Sequence, residues 1–267
     1  MTYSVGTREG WEQWKAEREE TLRDPYGWLS LVELAWLEED PSPLNTFPGL
    51  WNHSDNTVRF APVAGEPKVY RDGQEITHSL EIEVGPGVAD RSLRDERGRE
   101  TEVMYRFWGP AIRVRDPQAK RLAEFQGLDV YDFEPRWVLR GVILPYDKVK
   151  ELTVDSAVPG GSQTVNAWAD AEVALPDGET LTLIVTGDGP ESSNVMFHDD
   201  TNGDTTPGWR SAPVVVDGGT VVLDFNRAQI FPAHLSPYGT CPKPPETNRI
   251  PARVEAGEKT FAGRDTQ

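Results

Sequence analysis

The feature that most constrains this chain is the way its turn residues are spread. The 24 glycines and 22 prolines are scattered among short segments of alternating apolar and polar residues, rather than gathered in tracts. Side chains of a strand point alternately to its two faces, so this period of two predicts strands separated by turns. We therefore expect a mostly β fold, with antiparallel sheets arranged as a barrel or a sandwich.

Two segments near the start depart from this pattern. Residues 9–23 are rich in Glu, Lys, Arg and Ala and place Trp11 three positions before Trp14, which predicts an amphipathic helix. The helix is expected to stop at Asp24-Pro25, because a residue before proline avoids helical geometry. Residues 28–37 are predicted to form a second short helix. The expected fold is thus β sheets with one or two N-terminal helices.

The pattern also suggests an order of parts along the chain. We expect an N-terminal helical segment over residues 1–40, a β-rich region over 41–158 and a C-terminal β unit over 159–267. The loop Pro159-Gly160-Gly161-Ser162 separates the last two. A chain of 267 residues can bury a core without disulfides, and one continuous domain is the alternative.

Composition excludes several classes of function. The formal charge of −17 repels phosphates and acidic lipids, so we expect neither a nucleic-acid nor a membrane partner. The single cysteine, Cys241, excludes an internal disulfide and a cysteine-rich metal site. No apolar run could span a bilayer and residues 1–10 lack a signal-peptide pattern, so a cytoplasmic protein is expected. A homo-oligomer is compatible with the sequence.

The charge also leads to a hypothesis about the protein's surroundings. Of the 27 basic residues, 7 are lysine and 20 are arginine. Salt at 1 M shortens the Debye length to about 3 Å and so weakens repulsion between surface carboxylates. We hypothesise a protein of high-salt surroundings; the alternative is an acidic protein of ordinary salt.

Polar residues are densest between residues 221 and 259, where prolines are also frequent. Alternation after the apolar segment Val221-Val222-Leu223 places Asp224 and Asn226 on one face, where they could orient a ligand. An ion pair between Asp224 and Arg227 is the structural alternative. Loops above a β scaffold commonly form pockets. The candidate ligand-binding residues are Asp224, Asn226, Arg227, Tyr238, Cys241 and Asn248.

Cys241 would be a nucleophile only if a base or a positive field lowered its pKa. His234 or Arg249 could supply one through space, and a buried inert thiol is the alternative. Glu255 and Glu258, three positions apart, could present two carboxylates for acid/base chemistry or a metal, or could lie on an exposed turn.

The segment from His198 to Asp204 allows two interpretations. Asp200, Asn202 and Asp204 alternate as at the start of a calcium loop, but no glutamate follows at the twelfth position, so we predict no metal. Asn202-Gly203 is better explained as a hairpin turn with positive φ at both residues. His198 could act as an acid or base. The second group of candidates is His198, Asp200, Arg210, His234, Arg249, Glu255 and Glu258.

Three segments carry a family resemblance. They are Pro25-Tyr26-Gly27-Trp28-Leu29, Arg113-Val114-Arg115-Asp116 and the signature LDFNRA…SPYGTCP.PP..NR…EAGEK of residues 223–259. Together they resemble a prokaryotic family catalogued as domain of unknown function 1684, and the similarity covers nearly the whole chain. The resemblance implies no activity, cofactor or catalytic residue. We expect a small polar molecule to be bound or converted in a pocket on the C-terminal β unit. The alternative is a non-catalytic interaction or dimerisation module that uses the proline-rich loop, by which we mean the segment after Cys241 that contains Pro242, Pro244 and Pro245.

Overall fold

The structure is a computed structural model that describes residues 4–263. These residues form two compact units. We call Thr21–Phe125 the middle unit, and residues 4–20 with 126–263 the barrel unit. Over residues 4–263, no helix has the length and apolar content needed to cross a membrane.

The first predicted helix is present and the second is not. Helix α1 spans Arg8–Leu22 and buries Trp11 and Trp14, as its amphipathic pattern indicates. The helix predicted over residues 28–37 is wrong, since a 3-10 helix at Trp28–Ser30 leads directly into a strand at Leu31–Trp36. That strand pairs antiparallel with residues 111–115, and these long-range hydrogen bonds override the local helical pattern.

The middle unit contains two antiparallel sheets. Its elements are β1 (Leu31–Trp36), β2 (Ser42–Pro43), β3 (Leu50–Ser54), β4 (Thr57–Ala61), β5 (Val69–Arg71), β6 (Gln74–Glu75), β7 (Leu80–Glu83), β8 (Ala89–Asp90), β9 (Leu93–Asp95), β10 (Glu100–Arg106), β11 (Gly109–Arg115) and the short helix α2 (Lys120–Ala123). One sheet has the order β1-β11-β10-β9-β5-β6, with β8 also on β10, and the other has the order β2-β3-β4-β7. Trp51, Phe60 and Ile112 are among the side chains of their common buried core.

The barrel unit contains a closed antiparallel barrel. Its elements after α1 are β12 (Val138–Asp155), β13 (Ser162–Ala174), β14 (Thr180–Thr186), β15 (Asn194–Asp199), β16 (Arg210–Asp217), β17 (Thr220–Asp224), β18 (Gln229–Ile230), helix α3 (Pro232–Leu235) and β19 (Arg249–Ile250). Each strand from β12 to β16 pairs with the next, β16 pairs with β17, and β17 pairs back to β12. These six strands confirm the predicted antiparallel, barrel-like β fold.

Alternate residues of the barrel strands fill its interior. Leu139 and Ile143 of β12, Ala169 and Ala171 of β13, and Phe197 of β15 belong to one buried cluster. This inward alternation produces the period of two in the sequence. Closure of the sheet gives every barrel strand a neighbour on both sides, although β14 and β15 meet at a single residue pair, Thr186 with Asn194.

The turns and connections of the fold can be compared with the predicted domain limits and the predicted hairpin turn. β12 is one 18-residue strand whose register on β13 shifts between Pro145 and Lys150. Residue 158, a predicted domain limit, lies in the turn between β12 and β13, and residue 40 lies between β1 and β2. The predicted two-residue hairpin at Asn202-Gly203 is wrong. The β15–β16 connection runs from residue 200 to 209, and only Gly203 of that pair has a positive φ, +81°.

Candidate functional site

Asp224 and Arg227, at the end of β17, bind each other inside the protein. The Asp224 carboxylate accepts a hydrogen bond from Arg227 Nε at 3.0 Å and from the Gly6 backbone N–H at 3.1 Å. Its other oxygen accepts from the Asn226 backbone and side-chain nitrogens at 3.2 and 3.1 Å. Asp224, Asn226 and Arg227 are all buried. The structure therefore brings these three candidates together, and both carboxylate oxygens are already bound by protein donors.

Two buried asparagines of the signature form hydrogen bonds with the backbone of neighbouring segments. Asn226 accepts from the Glu134 N–H at 2.8 Å and donates to the Glu134 carbonyl at 3.1 Å. Asn248 accepts from the Ile184 N–H at 2.8 Å and donates to the carbonyls of Ile184 and Met196, both at 2.9 Å. Each amide thereby satisfies backbone groups that would otherwise be buried without partners.

Arg210 anchors the end of the signature to the barrel. Its guanidinium is completely buried and donates to the carbonyls of Val254 at 2.8 Å, Ala256, and Glu258 at 3.3 Å. It also pairs with the buried carboxylate of Asp199, whose Oδ1 lies 3.2 Å from Nη2. Burial lowers the pKa of Arg210, and the charge of Asp199 opposes that change.

The two glutamates near the C-terminus do not converge. Glu258 is buried, accepting from Arg18 Nε and from the Ile230 N–H, each at 2.8 Å. Glu255 is exposed and lies 3.3 Å from Arg253. The predicted carboxylate pair is therefore separated, because the backbone between the two glutamates turns at Gly257, where φ is +77°.

The alternating Asp200, Asn202 and Asp204 also diverge. The Asn202 amide donates to Asp199, to Thr206 and, at 2.8 Å, to the Pro207 carbonyl. Asp200 pairs with Arg249 at 3.2 Å, and Asp204 pairs with Arg253 at 2.9 Å. Within residues 4–263, no cluster of three or more His, Cys, Asp or Glu side chains is arranged to hold a metal ion.

The remaining signature candidates lie near α3 and the proline-rich loop. The buried ring of His234 packs edge-on against Trp209, with ring centroids 4.2 Å apart. Tyr238 is partly buried, and its backbone N–H donates to Ser236 Oγ at 3.3 Å. Cys241 is partly buried, and its carbonyl accepts from the Ala157 N–H at 2.8 Å.

The hydrogen bond from the Ala157 N–H to the Cys241 carbonyl is one of several backbone contacts between the β12–β13 hairpin and the proline-rich loop. We call this region of contact the joint. The Lys243 N–H donates to the Asp155 carbonyl at 2.7 Å, and Ser156 and Pro242 form a β-bridge. Backbone pairing therefore holds residues 241–243 against the end of β12.

A groove of about 610 Å³ opens beside this joint, entirely within the barrel unit. Its walls are the end of β12, the proline-rich loop, and one residue each from β14 and β15. The lining residues are Glu151, Leu152, Thr153, Val154, Asp155, Ile184, His198, Lys243, Pro244, Pro245, Glu246 and Thr247. Of the predicted candidates, only His198 is among them.

The charged residues that line the groove are mostly acidic. Glu151, Asp155 and Glu246 are negative, and Lys243 is positive with its Nζ 3.7 Å from Asp155 Oδ2. His198 Nδ1 lies 2.7 Å from the Gly208 carbonyl. A carbonyl can only accept, so Nδ1 carries the hydrogen and Nε2 is the ring nitrogen left for a ligand.

Sequence reasoning missed the acidic wall of this groove. Glu151 and Asp155 lie on β12, whose sequence has no motif or unusual composition at these positions. Nothing in the local sequence therefore indicates that they are neighbours of the proline-rich loop. The segment Lys243–Thr247 did carry a signal, since it lies inside the densest polar region of the chain.

The fold and groove together define a β-barrel protein with a polar groove on the barrel unit. The chain belongs to the family described as protein of unknown function (DUF1684), whose model matches residues 123–259. This confirms the family and includes the signature of residues 223–259. The segments at residues 25–29 and 113–116 lie outside the match, so a similarity over nearly the whole chain stays a prediction. None of the curated proteins matches the chain. Among solved structures, it is similar to the solution NMR structure of an uncharacterized protein of Haloarcula marismortui, with 26% identity, 53% of this chain and 80% of that chain covered, and a TM-score of 0.43.

Proposed function

We propose that the barrel unit binds a small polar molecule in the groove beside the proline-rich loop. One observation carries the proposal: His198, whose Nδ1 is held by the Gly208 carbonyl, lines a concavity of about 610 Å³. Small-molecule sites commonly have volumes of roughly 300–1,000 Å³ and combine apolar walls with a few polar groups. Ile184, Pro244 and Pro245 supply the apolar part of this lining.

The charge of the lining favours a ligand that carries a cationic or hydrogen-bond-donating group. Three of the lining residues carry a carboxylate and one carries an ammonium group, so the charge of the lining is mostly negative. An anionic ligand would meet Glu151, Asp155 and Glu246 together and be repelled. We therefore propose amines, amino acids or similar polar molecules as the ligand class.

In this proposal the signature residues form the scaffold of the site. The side chains of Asp224, Asn226 and Asn248 form hydrogen bonds with other groups of the protein. Such bonds hold the strand ends and loops in place without touching a ligand. The alternative of a docking module built on the proline-rich loop has less support, because Pro244 and Pro245 are buried.

Native mass spectrometry of the gently purified protein tests the proposal. We expect a small bound mass that is released on unfolding, is lost in His198→Ala and is retained in His78→Ala, where the replaced histidine is exposed in the middle unit. The same pair of variants should separate in a thermal-shift panel of small amines and amino acids. Wild-type protein with no bound mass and no saturable shift in that panel would contradict the proposal.

The acidic composition supports a second, independent proposal, which concerns the salt concentration in which the protein works. We infer that the protein works in high salt, because a net charge of −17 with few lysines is best tolerated where repulsion is screened.

A further inference from the structure

The outer surface of the barrel has apolar side chains that water can reach. Val142 and Leu144 of β12 and Val215 of β16 have exposed fractions of 45%, 46% and 41%. A contiguous apolar patch on a protein surface commonly marks a place where a partner binds. None of these three residues lines the groove, so the function proposed above does not account for them.

Alternation along β12 places the first part of this patch. Leu139 and Ile143 belong to the buried core of the barrel. Side chains of a strand alternate between its two faces, so Arg140, Val142 and Leu144 point away from that core. These three residues therefore form a row along the outside of the barrel.

The strand pairings extend the patch across neighbouring strands. Arg140 is opposite Val222 of β17, and Val222 is opposite Val215 of β16. Residues directly opposite each other share a face of the sheet, so both valines lie on the outside as well. On the other side of β12, Val142 is opposite Glu172 of β13. We call this surface the outer face, and it consists of Arg140, Val142, Leu144, Glu172, Val215 and Val222.

The two charged residues of the outer face are available to a partner. Arg140 and Glu172 are both exposed, and neither forms an ion pair with any residue between 4 and 263. Their charges are opposite in sign, and Glu172 lies one strand across and two positions along from Arg140. A surface that carries one charge of each sign can match a second copy of itself.

The positions of these residues also fit a two-fold axis. In a two-fold dimer both copies use the same patch, so the patch must be complementary to itself. On a flat projection of the outer face, with a strand rise of about 3.4 Å and a strand spacing of about 4.8 Å, one such axis sets Arg140 against Glu172 of the second copy. The same axis brings Val142 next to Val142 of the second copy, and Leu144 next to Val215 of the second copy. Apolar and charged residues are therefore matched by a single arrangement.

We propose that the outer face binds the outer face of a second copy of this chain, which gives a two-fold symmetric dimer. Contact between the apolar side chains stabilises the dimer, and the two pairs of Arg140 with Glu172 fix its orientation. A net charge of −17 on each copy opposes their approach at low salt, so association should strengthen as the salt concentration is raised. The dimer does not depend on a ligand in the groove.

Sedimentation velocity over a range of protein concentrations, in low salt and in molar NaCl, tests the dimer. We expect wild-type protein to convert from monomer to dimer as its concentration rises. Val142→Glu would place two carboxylates next to each other, so the dissociation constant should increase by about a hundredfold. Val88→Glu is the control, because Val88 is 53% exposed but lies in the middle unit. This control should dimerise like wild-type protein.

A charge exchange distinguishes direct pairing from a general effect of the substitutions. Arg140→Glu and Glu172→Arg should each weaken the dimer by about tenfold, because each sets like charges against each other. The double variant restores opposite charges and should dimerise like wild-type protein. Wild-type protein that stays monomeric at every concentration in both salts would overturn the proposal and leave the face to a partner of another kind. A dimer that Val142→Glu leaves intact, or a double variant as weak as the single ones, would overturn it as well.

Discussion

Arg210 and Asp199 form an ion pair in which both side chains are completely buried, with Nη2 and Oδ1 3.2 Å apart. The pair is embedded in further hydrogen bonds. Asp199 accepts from the Val254 N–H at 2.9 Å and from the Thr201 hydroxyl at 2.6 Å. Arg210 donates to three carbonyls between residues 254 and 258. The pair therefore attaches the last part of the family signature to strands β15 and β16.

Removing one partner of this pair should destabilise the barrel unit. Asp199→Ala leaves the Arg210 charge buried without its counterion, and such a loss typically costs about 3–5 kcal/mol. The free energy of unfolding from guanidinium denaturation measures the effect. Asp200→Ala is the matched control, because that neighbouring carboxylate is exposed, and it should change stability little. Equal stability of the two variants would contradict the anchoring role.

Gly257 is required for close packing as well as for its backbone conformation. Its φ is +77°, and a Cβ built there would lie 2.5 Å from the Ala228 carbonyl oxygen. We expect Gly257→Ala to lose about 2–4 kcal/mol from left-handed strain and overpacking together. Gly203→Ala separates the two causes, because Gly203 has a φ of +81° but nothing within 4 Å of its built Cβ. It should lose only about 1–2 kcal/mol, and a loss as large as that of Gly257→Ala would show that the contact is unimportant.

The Tyr146 phenol should ionise at an unusually high pH. Partial burial, together with a 2.5 Å hydrogen bond to Asp170, raises the pKa of this phenol well above its ordinary value of 10.0. The folded state therefore keeps a proton that the unfolded state releases, so the free energy of unfolding should fall as pH rises above about 10. Ultraviolet titration of phenolate formation measures this ionisation directly.

In Asp170→Asn the ionisation of Tyr146, which is the step at the highest pH in that titration, should move to lower pH. The reason is that the neighbouring negative charge is removed. Tyr146→Phe should remove the step, whereas Tyr70→Phe in the middle unit should leave it in place. An unchanged profile for Tyr146→Phe would rule out the assignment.

High salt should stabilise the protein. Raising NaCl toward 1 M reduces the Debye length to about 3 Å and weakens repulsion among the surface carboxylates of a chain with net charge −17. Tm should therefore rise between low and molar salt, with the protein remaining soluble. A lower Tm or precipitation at molar salt would refute the high-salt proposal.

The local spacing of apolar and polar residues was sufficient to predict much of the secondary structure. The helix predicted over residues 9–23 is α1 at Arg8–Leu22, and the alternation of apolar and polar residues correctly predicted a mostly β fold. It failed at residues 28–37, because the hydrogen bonds of β1 are made with β11, which lies far along the chain. A pattern of local apolar spacing contains no information about such a partner.

The candidate site was predictable to a similar degree. The strand alternation expected to place Asp224 and Asn226 on one face is wrong, because the strand ends at Asp224 and Phe225–Arg227 form a 3-10 helix capped by Asp224. The alternative that the spacing allowed, an ion pair between Asp224 and Arg227, is present. Nothing in their spacing indicated that these bonds would be buried and complete. The contact between Asp155 and Lys243 that borders the groove had no sequence signal, because the two segments are distant along the chain and meet only in the folded structure.

The sequence by itself therefore determined the β class, the N-terminal helix and the family, since each of these is expressed in local alternation or in a motif. Only the tertiary structure decided which polar residues became internal supports and which face a groove. The physical reason is that a polar side chain is used up or left available according to which backbone groups come within hydrogen-bond distance and whether water is excluded there. Both conditions depend on strand pairings between distant segments of the chain.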